Sequence, residues 1–256
     1  MNPMKKIIAL IPARMASSRF PGKPLVDICG KAMIEHVWQR VRLNNKVDSV
    51  YIATCDPEIR TAADNFGAEV IMTSDTHQRG TDRIAEGCLK LLNSGNNFDI
   101  VLNIQGDEPL LNPSSLDLLV KPFYSEMNIS CVNLIENLES EYEINDYNNV
   151  KVIFDQKGFA LYFSRLPIPN GLNNRHYKQL GLYGFTKETI LKYPEMDQTP
   201  LEIAESDDML RFVENQIPVR VVLSPYKTIG VDTPDEHENV CRLMEKDEVF
   251  AHYKNK

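Results

Sequence analysis

Five charged residues in this chain have the types and spacing for phosphoryl chemistry. Arg14, Arg19 and Lys23 crowd one short loop that also carries Ser17 and Ser18 and is punctuated by Pro12, Pro21, Gly22 and Pro24. Guanidinium and ammonium groups arranged this way, helped by backbone N–H groups, neutralise a polyphosphate. Asp107 lies in Asn103-Ile-Gln-Gly-Asp-Glu-Pro109, and Asp232 in Gly230-Val-Asp-Thr-Pro234. A carboxylate facing such a loop, as Asp107 would, reads as a ligand for Mg²⁺, which takes one or two carboxylates plus phosphate oxygens. Each feature also has a plainer reading. The cations could make a basic surface turn, Asp107 could cap the turn before Pro109, and Asp232 or Thr233 could cap a helix starting near Pro234.

The cationic loop and Asp107 each follow an apolar run, residues 7–11 and 100–104, that reads as a buried strand. Ligands of open α/β sheets bind outside the carboxyl ends of such strands. That favours a phosphate loop over a surface turn. G-x-x-x-x-G-K-[ST] and G-x-G-x-x-G are both absent, which argues against an ordinary P-loop NTPase and a dinucleotide oxidoreductase.

The stretch from Pro12 to Lys23 resembles the P-A-R-x-x-S-x-R-x-P-x-K signature of the CMP-sugar synthetases, most closely the 3-deoxy-manno-octulosonate (Kdo) cytidylyltransferases. Q-G-D-E-P and G-V-D-T-P of that family recur around Asp107 and Asp232, and the likeness extends from residue 6 to about 243. The resemblance implies CMP transfer from CTP to the anomeric hydroxyl of a 2-keto-3-deoxy acid sugar, releasing pyrophosphate. It implies Mg²⁺ on Asp107 and Asp232, with Arg14 and Lys23 also catalytic. Arg14, Ser17, Arg19, Lys23, Gly80, Thr81 and Gln105 would bind the nucleotide. A cytoplasmic homodimer serving lipopolysaccharide biosynthesis is implied as well, with no nucleic-acid or membrane partner.

His77-Gln-Arg-Gly-Thr-Asp-Arg83 is similar to the family's H-Q-S-G-T-[DE]-R, although Arg79 stands where serine is usual and is not assigned to the site. On the sugar side, Arg165 matches an arginine that grips the acidic acceptor, a task suited to a guanidinium. Gln105, Gln179, Glu205, Asp208 and Met209 join it as acceptor residues by the same resemblance. Gln179 replaces a histidine of K-H-[VL]-G-[IV]-Y-[GA]. Asp208 and Met209 replace glutamate and glutamine of E-x-L-E-Q-L-R. A related acid sugar, such as 8-amino-Kdo or a nonulosonate, would explain these changes. A glycosyltransferase and a non-catalytic nucleotide binder are the remaining alternatives. His77 and His36 are candidate bases only by residue type, and His36 reads as structural.

The elements that must hold these residues alternate. Helical spacing marks 32–43, 57–66 and 81–92, with strands at 50–54, 69–72 and 100–104 between and beyond them. This pattern predicts an α/β fold with a mostly parallel, Rossmann-like sheet carrying helices on both faces. Strands at 129–134, 150–154, 160–164 and 180–185 read as an antiparallel excursion near 130–180, a candidate dimer contact within one domain spanning 1–256. A helix over 200–214, a strand at 219–223 and a helix over 234–249 finish the chain.

Composition agrees with a small polyanionic ligand held locally. The net charge is −8 and 43% of the 256 residues are hydrophobic. Six cationic side chains nevertheless fall within residues 1–31 against Asp27 alone. No apolar run of about 18 residues suggests a membrane span, and five scattered cysteines without a C-x-x-C pair read as reduced thiols, mostly in the core.

Overall fold

The computed structural model describes residues 5–16, 19–171 and 175–255. They build two compact units, one from Met1–Asp117 with Thr228–Lys256 and one from Leu118–Lys227.

The first unit contains β1 (Ile7–Ala13), β2 (Asp27–Ile28), β3 (Lys31–Ala32), β4 (Ser49–Thr54), β5 (Glu69–Met72) and β6 (Ile100–Ile104). Four of these form a parallel sheet in the order β6-β1-β4-β5. Every residue of β1 and β6 is buried, as expected of parallel strands covered on both faces. Helices Met33–Arg42, Pro57–Asn65 and Gly80–Asn93 follow the predicted spans to within a residue or two. The first of them buries Met33, Ile34, Val37, Trp38 and Val41. β2 and β3 make a hairpin that the sequence reading missed. Its turn, Cys29-Gly30, has positive φ at both residues.

The second unit contains β7 (Cys131–Leu138), β8 (Lys151–Phe154), β9 (Ala160–Ser164), β10 (His176–Thr186) and β11 (Val219–Leu223). β7 runs antiparallel to β10, β10 to β8, and β8 to β9, while β11 joins β7 in parallel. The antiparallel pairing expected near 130–180 is therefore present, with β7 and β10 longer than predicted.

Two long helices predicted from periodicity are each broken. The span 200–214 divides into Pro200–Glu205 and Met209–Glu214, because Ser206 takes a left-handed conformation with φ of 54°. The span 234–249 divides into Pro234–Met244 and Glu248–Ala251, the second capped by the Asp247 carboxylate, which accepts from the Phe250 N–H at 2.7 Å. Only Cys88 and Cys131 are fully buried; Cys29, Cys55 and Cys241 are half-buried, and all five are free thiols. Among the described residues, no helix is long and apolar enough to cross a membrane.

Candidate active site

β1 is hydrogen-bonded in parallel to β6, so the segments that follow them leave the sheet at the same edge. One begins at Arg14 and the other reaches Asp107. Their close approach demands glycine at 106, where a Cβ would lie 2.9 Å from the Pro12 carbonyl oxygen and 3.0 Å from Ile34 Cδ1. The Met15 N–H donates to Asp56 Oδ2 at 2.8 Å, tying the cationic loop to the end of β4, and the Gly22 N–H returns to the Met15 carbonyl at 3.3 Å. A third segment joins them from the far end of the chain. The Val231 N–H donates to the Asp107 carbonyl at 3.0 Å, which sets Asp232 beside Asp107. Thr233 and Glu236 form a capping box at the next helix, and the Glu236 carboxylate accepts the Asp232 N–H at 2.7 Å. The carboxylate of Asp232 is thereby left for other partners.

Those partners are the loop cations. Lys23 Nζ donates to Asp107 Oδ2 and to Asp232 Oδ1, both at 2.8 Å, and Arg19 lies 2.9 Å from Asp232 Oδ2. Burial alone would lower the Lys23 pKa. Charge and hydrogen bonds from the two carboxylates outweigh it and hold the ammonium above its ordinary value. The cluster lines a cavity of about 290 Å³ together with Arg14, His77, Arg79, Gly80, Arg83 and Gln105. Of the predicted nucleotide residues, Arg14, Arg19, Lys23, Gly80 and Gln105 thus share one cavity with Asp107 and Asp232. Thr81 does not line it. Its side chain is buried, accepting from Asn103 Nδ2 at 3.4 Å. Ser17 lies outside the described residues.

Neither histidine sits unengaged. His77 lines the cavity with its Nε2 against the Glu86 carboxylate. His36 is fully buried between the Tyr253 hydroxyl and the Ile28 carbonyl, and burial pulls its pKa down to about 4, so it is a neutral core residue. Arg83, a match to the family motif, is buried and turned toward Thr73 Oγ1 and the Ser74 carbonyl.

The predicted acceptor residues other than Gln105 belong to the second unit, where they form a cluster of their own. The Glu205 carboxylate accepts from Tyr162 OH at 3.1 Å, Ser164 Oγ at 3.0 Å and the Arg165 N–H at 2.9 Å. Arg165 Nε donates to the Glu205 carbonyl at 2.8 Å, with its guanidinium over the Tyr147 ring. Met209 is completely buried. The break at Ser206 turns in a residue that the sequence reading passed over, Asp207, which occupies the leucine position of E-x-L-E-Q-L-R. Its Oδ1 accepts the Met209 N–H at 2.9 Å, and the Gln179 side chain lies against it. Burial first, and the charge of Asp208 second, push its pKa up to about 7 against the opposing pull of the Met209 N–H, Gln179 and Arg165. Its signal in the sequence was a carboxylate in an apolar slot. Arg211 of the same motif is structural, forked onto the buried Glu202 at 2.7 and 2.6 Å.

The profile of the cytidylyltransferase family matches residues 8–227. A 3-deoxy-manno-octulosonate cytidylyltransferase from Solibacter usitatus is 42% identical over 244 residues, covering 94% of this chain and 95% of its own. Its counterpart from Geobacter metallireducens is 39% identical over 255 residues, covering 94% and 98%. A solved structure of CMP:2-keto-3-deoxy-manno-octonic acid synthetase complexed with CTP is 37% identical, with a TM-score of 0.87, and covers 94% of this chain and 99% of that one.

Proposed function

The chain belongs to the 3-deoxy-manno-octulosonate cytidylyltransferase family, and on that premise we propose that it transfers CMP from CTP to the anomeric hydroxyl of Kdo. The new bond joins that hydroxyl oxygen to the α-phosphorus. The bond from the α-phosphorus to the bridging oxygen breaks, pyrophosphate departs, and the hydroxyl proton is released to solvent. The observation that carries this reading is the position of Lys23 Nζ, 2.8 Å from both Asp107 and Asp232 in a cation-lined cavity.

Two carboxylates sharing one cation are a donor set that fits Mg²⁺, a hard ion that takes one or two carboxylates and keeps phosphate oxygens. Asp107 and Asp232 would hold it, and when bound it supplies neutralisation of α-phosphoryl charge. Arg14, Arg19 and Lys23 bind and orient the triphosphate, and Gln105 adds hydrogen bonds at the cavity wall. Catalysis of this kind rests on alignment and preorganised charge. Arg165 and Glu205, with Gln179, Asp208 and Met209 around them, form the acceptor side. Five free thiols suit a reducing compartment, so we assign the reaction to the cytoplasm, supplying CMP-Kdo to lipopolysaccharide biosynthesis. A homodimer through the excursion near 130–180 is supported by its exposed Leu161 and Leu166.

A related acid sugar, 8-amino-Kdo or a nonulosonate, is the second reading, favoured by the buried Asp207 beside Gln179. Pyrophosphate release is the deciding assay, run with CTP and each acceptor for the wild type and a Gln179→His, Asp208→Glu, Met209→Gln variant. Kdo-dependent release by the wild type supports Kdo. Activity with Kdo only in the triple variant transfers the assignment to another acid sugar. No CTP consumption with any acceptor rejects cytidylyl transfer.

A further inference from the structure

Arg79 lines the nucleotide cavity beside Arg14, Arg19 and Lys23, although the family pattern has serine there. Its backbone position is fixed from both sides. It immediately precedes the 14-residue helix Gly80–Asn93, and Gly80 is wedged against the opposite wall. A Cβ at residue 80 would lie 3.2 Å from Gln105 Nε2 and 3.5 Å from Pro12 Cγ. Arg79 thus directly precedes the point where Gly80 meets Pro12 and the Gln105 side chain.

The charge already in the cavity shows why a further cation matters. Lys23 is divided between Asp107 and Asp232, Arg19 is bound to Asp232, and Arg83 is turned toward Thr73 and Ser74. Without Arg79, the four cations Arg14, Arg19, Lys23 and Arg83 against Asp107 and Asp232 leave two net positive charges, less than a triphosphate presents in negative charge. A guanidinium at residue 79 raises that field, and it binds phosphate oxygens in a fork that a serine hydroxyl cannot reproduce. The helix N-terminus behind it adds positive potential of the same sign.

We propose that Arg79 is a phosphate-binding residue of the nucleotide site, contacting the polyphosphate of the incoming CTP. The inference rests on the cytidylyltransferase reading, so one of its tests does not depend on turnover. Binding of inorganic pyrophosphate, measured by calorimetry on the Mg²⁺-supplemented protein, is expected to weaken about 10-fold in Arg79→Ser, the scale of one charge-assisted hydrogen bond. Arg79→Lys is expected to recover part of the loss, and cytidine binding to stay as in the wild type. In steady state the KM for CTP should rise by a similar factor, with kcat and the KM for the acceptor little changed. Raising the salt concentration should narrow the gap between wild type and Arg79→Ser. Unchanged pyrophosphate affinity in Arg79→Ser overturns the proposal, as does an equal loss of cytidine binding, which would mark Arg79 as a structural or base-side residue. If the wild type consumes no CTP, the enzymatic reading fails while the pyrophosphate titration still decides the role of Arg79.

Discussion

The nucleotide cavity and the Arg165–Asp207 cluster handle charge in opposite ways. In the cavity, carboxylates about one-third exposed pair with cations, and Lys23 alone satisfies two of them. In the second unit, Asp207 is buried against a neutral amide and a like-charged neighbour. The first arrangement is stable because each charge has a partner. The second tolerates a carboxyl group by shifting its proton equilibrium. All of the noted departures from the family's acceptor motifs fall in the second arrangement. The lesson is that the ion-paired positions of a charged cavity constrain residue type, whereas a buried polar cluster can be rebuilt with other groups if its members change together.

The strongest way to break this contrast is to remove one carboxylate from the cavity. Asp107→Asn or Asp232→Asn should lower kcat by roughly 10²–10³, the scale for losing one preorganised electrostatic group. Thermal stability should change little, because both side chains are about one-third exposed. Parallel rate and melting measurements check this. A large loss of melting temperature with the rate retained would give the carboxylates a structural role.

Asp207 should show the reverse, a stability effect that depends on pH. Its pKa is raised in the fold, so the folded protein holds this proton more tightly than the unfolded chain. Wild-type stability should therefore fall relative to Asp207→Asn as pH rises from about 4 to about 7, with the full cost present above that range. At pH 8 Asp207→Asn should be the more stable protein, by on the order of 4 kcal/mol at most. Denaturant curves at pH 5 and pH 8 measure the difference, and a gap that does not widen with pH would show that Asp207 is not held protonated. A smaller effect sharpens the same comparison. Met209→Gln puts an amide where the thioether is completely buried and should cost about 1–3 kcal/mol unless the new group finds a partner. An unchanged melting temperature would mean that the cluster already offers one.

The difference between the two regions also decided what could be read from the chain. β5, β6, β9 and β11 have the boundaries expected from their apolar runs, because buried strands flanked by turns leave a strong local pattern. The convergence of Arg14, Lys23, Asp107 and Asp232 was legible from motif order and strand ends. The sharing of Lys23 between both carboxylates was not, since a pairing across the length of the chain leaves no local trace. Periodicity carried helix 200–214 straight through Ser206, because a left-handed residue costs the apolar pattern nothing. The β2–β3 hairpin was missed for a related reason: cysteine is not a turn residue by type, yet Cys29 adopts φ of 53°. Asp207 escaped notice because burial, not residue type, gives it its character.

The first unit is closed by residues from both extremes of the sequence, and this has a consequence for how the protein is made. Ile28 and Met33 pack with Val231, Val240, Met244, Phe250 and Tyr253, and Arg40 reaches Asp247. A ribosome translating this message must finish the whole inserted unit before these partners emerge from its exit tunnel. Until then the nascent phosphate loop lacks Asp232 and the early helix has an uncovered apolar flank. Asp232, one of the two carboxylates of the proposed metal site, is therefore missing until synthesis has passed residue 232.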